Sequence, residues 1–171
     1  MVKVERTFPA PASLEMESKK KNGSYEKKDV IEQLKTDFHN KCYICEMKKL
    51  QDPEVEHLLP HKSGKYRDRK FDWNNLFWSC GHCNKVKNQE KYDAGIIDCC
   101  KLDPEQLLFF RLTEDAVAAA AKKEDDAAAV LTAELVCEVF NKKNTGLRDY
   151  KTDMRFREHA ECFPKLGQYI E

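Results

Sequence analysis

The sequence predicts an α+β fold in which a strand, a loop, a second strand and a helix gather around a metal ion. Three observations lead there. Cys42 and Cys45 are separated by two residues, and so are Cys80 and Cys83. Two such pairs supply four thiolates to one tetrahedral ion at about 2.3 Å per bond. Between the pairs, Val55–Leu59 reads as a short β run stopped by Pro60, and Trp73–Trp78 is aromatic and extended. Outside them the apolar spacing turns helical.

The elements follow in order. Residues 1–38 make an arm and a helix. In the arm, Pro9, Pro11 and the run Lys19–Gly23 disfavour regular structure, while Val4 and Phe8 are candidates to pack on the body. Over 24–38, Val30, Ile31, Leu34 and Phe38 share one helical face and carry the chain to Cys42. Residues 39–96 form the metal-bearing core. Here Ser63-Gly64 marks a turn, and Asn84–Tyr92 is read as a helix leaving the second cysteine pair. Residues 97–171 are expected to be mostly helical. Asp103 caps a start at Pro104, although Leu107–Leu112 fits a strand equally well. The Ala-rich stretch 125–140 is helical by propensity, with Val130, Glu134, Leu135 and Val139 on one side. Leu147, Tyr150, Met154 and Phe163 suggest a last helix.

At 171 residues, 41% hydrophobic and 35% charged, the composition is that of a globular protein of one domain or one domain with an appendage. No apolar run approaches the ~20 residues that span a bilayer. The chain starts Met1-Val2-Lys3-Val4-Glu5-Arg6, with no hydrophobic leader, so a reducing cytoplasm and thiolates rather than disulfides are expected. Cys99 and Cys100, being adjacent, are poorly placed to share a tetrahedral site, and Cys137 and Cys162 read as small buried apolar residues. The formal net charge is zero, which gives no global electrostatic case for nucleic acid. Locally, however, Lys62, Lys65, Arg67, Arg69 and Lys70 stand against Asp68 alone, and Lys85, Lys87 and Lys91 follow the second pair. Such a strip suits a polyanion, or is a solvated loop.

The dipeptide Glu56-His57 lies between the cysteine pairs, and Asn84 follows Cys83 directly. A neutral imidazole takes a proton from water near pH 7. A phosphodiester under attack needs a cation, and magnesium-like ions want a few hard oxygen ligands. Glu56 and Asn84 can supply them. Neighbours on a strand point to opposite faces, so Glu56 and His57 share a site only where the strand ends or distorts. Asn75 can brace the loop carrying the base. His82 reads as an exposed spacer within the second pair.

Taken together, Cys42-x-x-Cys45, Glu56-His57-x-x-Pro60, Asp72-Trp73-Asn74-Asn75-Leu76 and Cys80-x-x-Cys83-Asn84-x-x-Lys87 resemble the HNH endonucleases of the ββα-metal class. That resemblance implies that His57 activates water. It implies that Glu56 and Asn84 bind a catalytic Mg2+ or Mn2+, that Asn75 holds the loop, and that the four cysteines bind structural Zn2+. The reaction implied is hydrolysis leaving 5′-phosphate and 3′-hydroxyl ends. His61, Lys62, Lys65, Arg67, Arg69 and Lys87 would contact the substrate. Many members carry Asp at the position of Glu56 and His at that of Asn84. The flanks are similar to the HNH subunits of bacterial Septu anti-phage systems: Pro9–Leu14, the helix into Lys41–Glu46 and, more loosely, Asp98, Phe140-Asn141 and Arg148. Those subunits pair with an ABC/SMC-like ATPase. This sequence has no phosphate-binding Gly-x-x-x-x-Gly-Lys-Ser/Thr loop of its own, and its helical tail is the candidate docking element for such a partner.

Two functions are therefore expected to compete. One is a metal-dependent nuclease acting on DNA, with tRNA as the alternative target. The other is a zinc-stabilised subunit that grips nucleic acid or an acidic partner without cleaving.

Overall fold

The computed structural model describes residues 1–112 and 116–141. The suggested last helix, Arg148 and Cys162 lie outside them. Among the described residues eleven elements follow one another: α1 (Ala12–Ser18), α2 (Lys28–Asp37), β1 (Pro53–His57), α3 (Arg67–Phe71), a 3-10 turn (Trp73–Asn75), β2 (Leu76–Cys80), α4 (Gly81–Val86), α5 (Pro104–Leu107), β3 (Leu108–Leu112), β4 (Val117–Ala121) and α6 (Ala127–Asn141). The fold class is α+β, with two small antiparallel sheets.

β1 and β2 pair from Pro53 opposite Cys80 to His57 opposite Leu76. All five β2 residues are buried, as expected for a strand covered on both faces. Helix α2 lies against β2, and α4 starts at the residue after it. Val30, Leu34 and Phe38 are buried, as the helical spacing required, and Phe38 meets Tyr43 and Phe77 edge-on or tilted. One cluster of buried side chains runs from Val4 to Phe140 and includes the four clustered cysteines.

The chain near the N-terminus is part of this body. Val4 donates its N–H to the Cys99 carbonyl (2.9 Å). The Arg6 guanidinium donates to the carbonyls of Trp73 and Leu76, both at 2.8 Å, and lies over the Trp73 and Phe77 rings. Phe8, by contrast, is 62% exposed. The arm also contains α1, which the prolines seemed to forbid: Pro11 is its N-cap and neither proline lies inside it. The Asp29 carboxylate on α2 takes both the Ser13 N–H and hydroxyl, tying the two helices together.

Beyond residue 97 the helical expectation fails in part. The run Val117–Ala121 is strand β4, not helix, paired with β3 from Leu108 opposite Ala121 to Leu112 opposite Val117. Alanine favours helix by propensity. Here the partner strand and α6 decide, since α6 packs along β4. Within α6, Leu135 and Val139 are buried, but Glu134 is exposed and Val130 only half-buried. The buried face is instead filled by Ala129, Thr132, Ala133, Leu135, Val136, Val139 and Phe140. Asp103 caps α5 as expected, accepting from the Glu105 N–H at 3.1 Å. No described helix is long and apolar enough to cross a membrane.

Candidate metal centre and adjoining cavity

Two turns of backbone bring four sulfurs together. The first knuckle is held by the Cys42 N–H to the Met47 carbonyl and the Glu46 N–H to the Cys42 carbonyl. The second is the start of α4, where the Cys80 sulfur accepts from the Cys83 N–H at 3.5 Å. The ligand atoms of Cys42, Cys45, Cys80 and Cys83 all lie within 4.8 Å of one another, and all four residues are buried. The Cys45 and Cys80 sulfurs are 3.9 Å apart. A tetrahedron with ~2.3 Å metal–sulfur bonds has an edge of about 3.8 Å, so this donor set fits a structural metal such as zinc. Burial drives the Cys45 and Cys83 thiols well above the usual thiol range. A cation among the four sulfurs would favour their thiolates. No second convergence of three or more His, Cys, Asp or Glu side chains occurs among the described residues.

Beside this centre lies a cavity of about 340 Å³, lined among others by Tyr25, Glu56, His57, His61, Asn84 and Lys87. His57 ends β1, and its ring is wedged between Tyr25 (centroids 4.6 Å, nearly perpendicular) and His61 (4.5 Å). Its Nε2 lies 3.1 Å from the Lys70 carbonyl oxygen. A carbonyl can only accept, so Nε2 carries the proton and Nδ1 keeps a lone pair. Burial lowers its pKa to about 4, against the opposing pull of the Lys70 carbonyl, with the charges of His61, Lys87 and Lys70 acting in the same direction as burial. The ring is neutral at pH 7.

Asn75 fastens the loop around this histidine. Its Oδ1 accepts from the Leu59 N–H (2.8 Å), and its Nδ2 donates to the Leu59 and Arg69 carbonyls (both 2.9 Å). The loop between turns at Lys62, Ser63 and Gly64, all with positive φ. His61 accepts the Gly64 N–H on Nδ1 at 2.9 Å, so its proton sits on Nε2.

Glu56 occupies a different chemical position from the one expected of a free metal ligand. It is 5% exposed, and both its oxygens are engaged. The Tyr43 hydroxyl donates to Oε2 at 2.6 Å, and the Lys87 ammonium sits 2.5 Å from Oε1. Burial raises the Glu56 pKa despite Lys87 and Tyr43. Lys87, only 4% exposed, also donates to the carbonyls of His57 (2.8 Å) and Leu58 (3.0 Å). It was expected to reach substrate. Instead it is an internal cation, because three residues after Asn84 it falls on the same face of the chain leaving α4. The Asn84 amide nitrogen donates to Glu54, which leaves its Oδ1 as the oxygen donor toward the cavity.

The basic strip is partly committed to holding structure. Arg67 donates to the Ser18 and Lys20 carbonyls, Lys70 to the Gly23 carbonyl (2.8 Å) and Arg69 to the Pro60 carbonyl (3.3 Å). Lys62 pairs with Asp93 at 2.5 Å. Arg67 and Lys70 form no carboxylate ion pair among the described residues, whereas Arg69 is near enough to Asp93 to help lower its pKa. Lys65 and Lys85 are exposed, and neither has a carboxylate partner among the described residues.

Other placements depart from expectation. His82 is buried, its Nε2 3.1 Å from the Val139 carbonyl of α6, because α4 begins three residues before Asn84 and turns the His82 side chain inward. Cys137 is half-buried and bonds the backbone of Ala119. Sequence reasoning missed Tyr25, Tyr43 and Glu54. Glu54 was legible, since it stands two residues before Glu56 on one strand face. Tyr43 sits inside a knuckle with no pattern to single it out. Tyr25 is brought in by Gly23, where a Cβ would come within 1.9 Å of the Glu17 carbonyl oxygen; no local signal announces that close approach.

No protein-family model matches this chain, and no curated protein matches it.

Proposed function

We propose that the chain is a metal-dependent endonuclease of the HNH type, in which His57 is the general base. The observation that carries this reading is the state of the His57 ring. It is neutral, held through Nε2 by a backbone carbonyl, and keeps the Nδ1 lone pair in a polar cavity that Asn84 and Glu56 also line. A β-β-α order built against a four-cysteine cluster supports it. Glu56 and the Asn84 amide oxygen are the donors that would hold Mg2+ or Mn2+, with Lys87 leaving Oε1. When bound, the ion supplies positive charge to the scissile phosphate. His57 takes the proton of the attacking water, Asn75 keeps the loop and Lys70 carbonyl in place, and the Nε2–H of His61 can donate to a phosphate oxygen. The substrate in this reading is DNA, with tRNA as the alternative. The setting is a cytoplasmic anti-phage complex of the Septu kind, with an ABC/SMC-like ATPase as partner.

The test is cleavage of plasmid and of tRNA with Mg2+ or Mn2+, with and without such an ATPase, comparing wild type with His57→Ala. Loss of a positioned base lowers the rate about 10²–10⁴-fold. Equal cutting by both proteins removes His57 from the role. The acid limb is a second check. Only the neutral ring acts as base, and its pKa is lowered to about 4. Activity should hold from neutral pH down through the ordinary histidine range near 6.5 and fall as the pH approaches 4. A limb near 6.5 contradicts a buried base. Charge reversal at the exposed Lys65 and Lys85 should flatten the salt dependence of nucleic-acid binding by about one counterion per site; an unchanged slope places the binding surface elsewhere.

One observation favours the second reading, a non-catalytic zinc-stabilised binding subunit. Both Glu56 oxygens are already engaged by Lys87 and Tyr43. No cutting under any of these conditions, with binding retained, selects it.

A further inference from the structure

The turn after the core places two thiols side by side in unequal surroundings. Asp98 closes it, its carbonyl accepting from the N–H of Lys101 (3.0 Å) and of Leu102 (2.9 Å), and its Oδ1 accepting the Cys100 N–H (2.9 Å). Cys99 and Cys100 are the two central residues. Cys99 is fully buried and Cys100 half-buried. The Cys100 sulfur lies 3.5 Å from an Arg6 guanidinium nitrogen. That guanidinium spends its other contacts on two backbone carbonyls and aromatic faces, and has no carboxylate partner among the described residues. A part-buried cation without a carboxylate partner is thus aimed at a sulfur that can become an anion. Hydrogen bonding from Cys99, and then Arg6, lower the Cys100 thiol below its usual range against burial and the neighbouring Asp98 carboxylate, while the Cys99 thiol is pushed up. Cys137, also half-buried, offers a contrast: its partners are the backbone groups of Ala119.

We infer that Cys99 and Cys100 form a hydroperoxide-sensitive dithiol, in which the Cys100 sulfur set against Arg6 is the reacting atom. The Cys100 thiolate attacks one peroxide oxygen, the O–O bond breaks, and the sulfur is oxidised to a sulfenic acid as the other oxygen leaves as hydroxide or alkoxide and takes up a proton. The Cys99 thiol then attacks that sulfur. An S–S bond forms, the S–O bond breaks, and the oxygen departs as water with the Cys99 proton. With hydrogen peroxide, the two thiols and one peroxide give one vicinal disulfide and two waters. The anion facing Arg6 is lost in the process. Arg6 also holds the Trp73 and Leu76 carbonyls, on either side of Asn75, so the modified sulfur is linked through Arg6 to the backbone that positions Asn75.

The experiment uses zinc-loaded full-length protein and a few equivalents of hydrogen peroxide, followed by peptide mass spectrometry. The peptide carrying Cys99-Cys100 should lose two hydrogens while Cys137 stays reduced and zinc stays bound. Cys99→Ser should stop at the sulfenic acid, which a 1,3-dicarbonyl probe captures on Cys100. Arg6→Met should slow the reaction about threefold for each pKa unit restored to the thiol, because the thiolate fraction falls tenfold while its nucleophilicity rises. Arg6→Lys keeps the charge and should restore the rate, which separates charge from packing. Oxidation of Cys100 no faster than Cys137, or equal rates in wild type and Arg6→Met, overturns the inference.

Discussion

Cys80→Ser should lose its metal and its cooperative melting transition. Structural zinc binding contributes on the order of 10 kcal/mol or more to folding, and a domain commonly has ~5–15 kcal/mol in total. Cys80 does more here than offer a sulfur to an ion. It is the last residue of β2, it pairs with Pro53 across the sheet, and its sulfur caps α4. Removing it releases strand, helix and ion at once. The measurement is zinc stoichiometry with a thermal melt, beside wild type treated with chelator. Losing even ~3 kcal/mol would lower the midpoint by roughly 10 °C in a chain of this size. Retained zinc at wild-type stoichiometry with an unmoved midpoint would show that Cys80 is not a ligand of the ion, and a wild type that carries no zinc and ignores chelator would show that the sulfurs are packed without one.

Lys87→Met should destabilise the protein by about 3–5 kcal/mol, the cost of leaving one member of a buried ion pair uncompensated. The two Lys87 carbonyl partners, on His57 and Leu58, would lose their donor as well. Glu56→Gln/Lys87→Met should recover much of the loss, because the buried charge is gone and Tyr43 can still donate to the amide oxygen. The pH dependence has a definite sign. Glu56 already has a folded pKa raised above its ordinary value by burial, and losing Lys87 raises it further. A group with a raised folded pKa favours the fold below its unfolded pKa and disfavours it as pH rises. The gap in stability between the single and double variants should therefore shrink as the pH is lowered from 7 toward the ordinary glutamate range near 4.5. A gap that is constant with pH would mean that Lys87 acts through its packing rather than its charge.

The four-cysteine cluster and the strand–strand–helix order were legible because both rest on local patterns. Two-residue spacing fixes a knuckle, and Pro60 and Ser63-Gly64 mark where chain direction changes. The helix at α2 was legible through its 3.6-residue period, and the cap at Asp103 through the proline that follows it. What stayed hidden depended on contacts distant in sequence. Nothing local distinguishes a lysine that reaches phosphate from one that folds back on a glutamate, and Lys87 went to Glu56, thirty-one positions away. The alanines of β4 obeyed their partner strand rather than their propensity. His82 looked exposed because its burial depends on α6, more than fifty residues later.

That same histidine also ties the cysteine cluster to the far end of the described chain. His82 lies between two cysteines of the cluster and bonds the backbone of α6, while Lys91, a little further on, pairs with Glu134 (3.0 Å) and Glu138 of that helix. The stretch 82–91, which carries Asn84 and Lys87, is thus fastened to α6 at both of its ends. The wall of the cavity that α4 supplies is therefore set by a helix more than forty residues further along the chain.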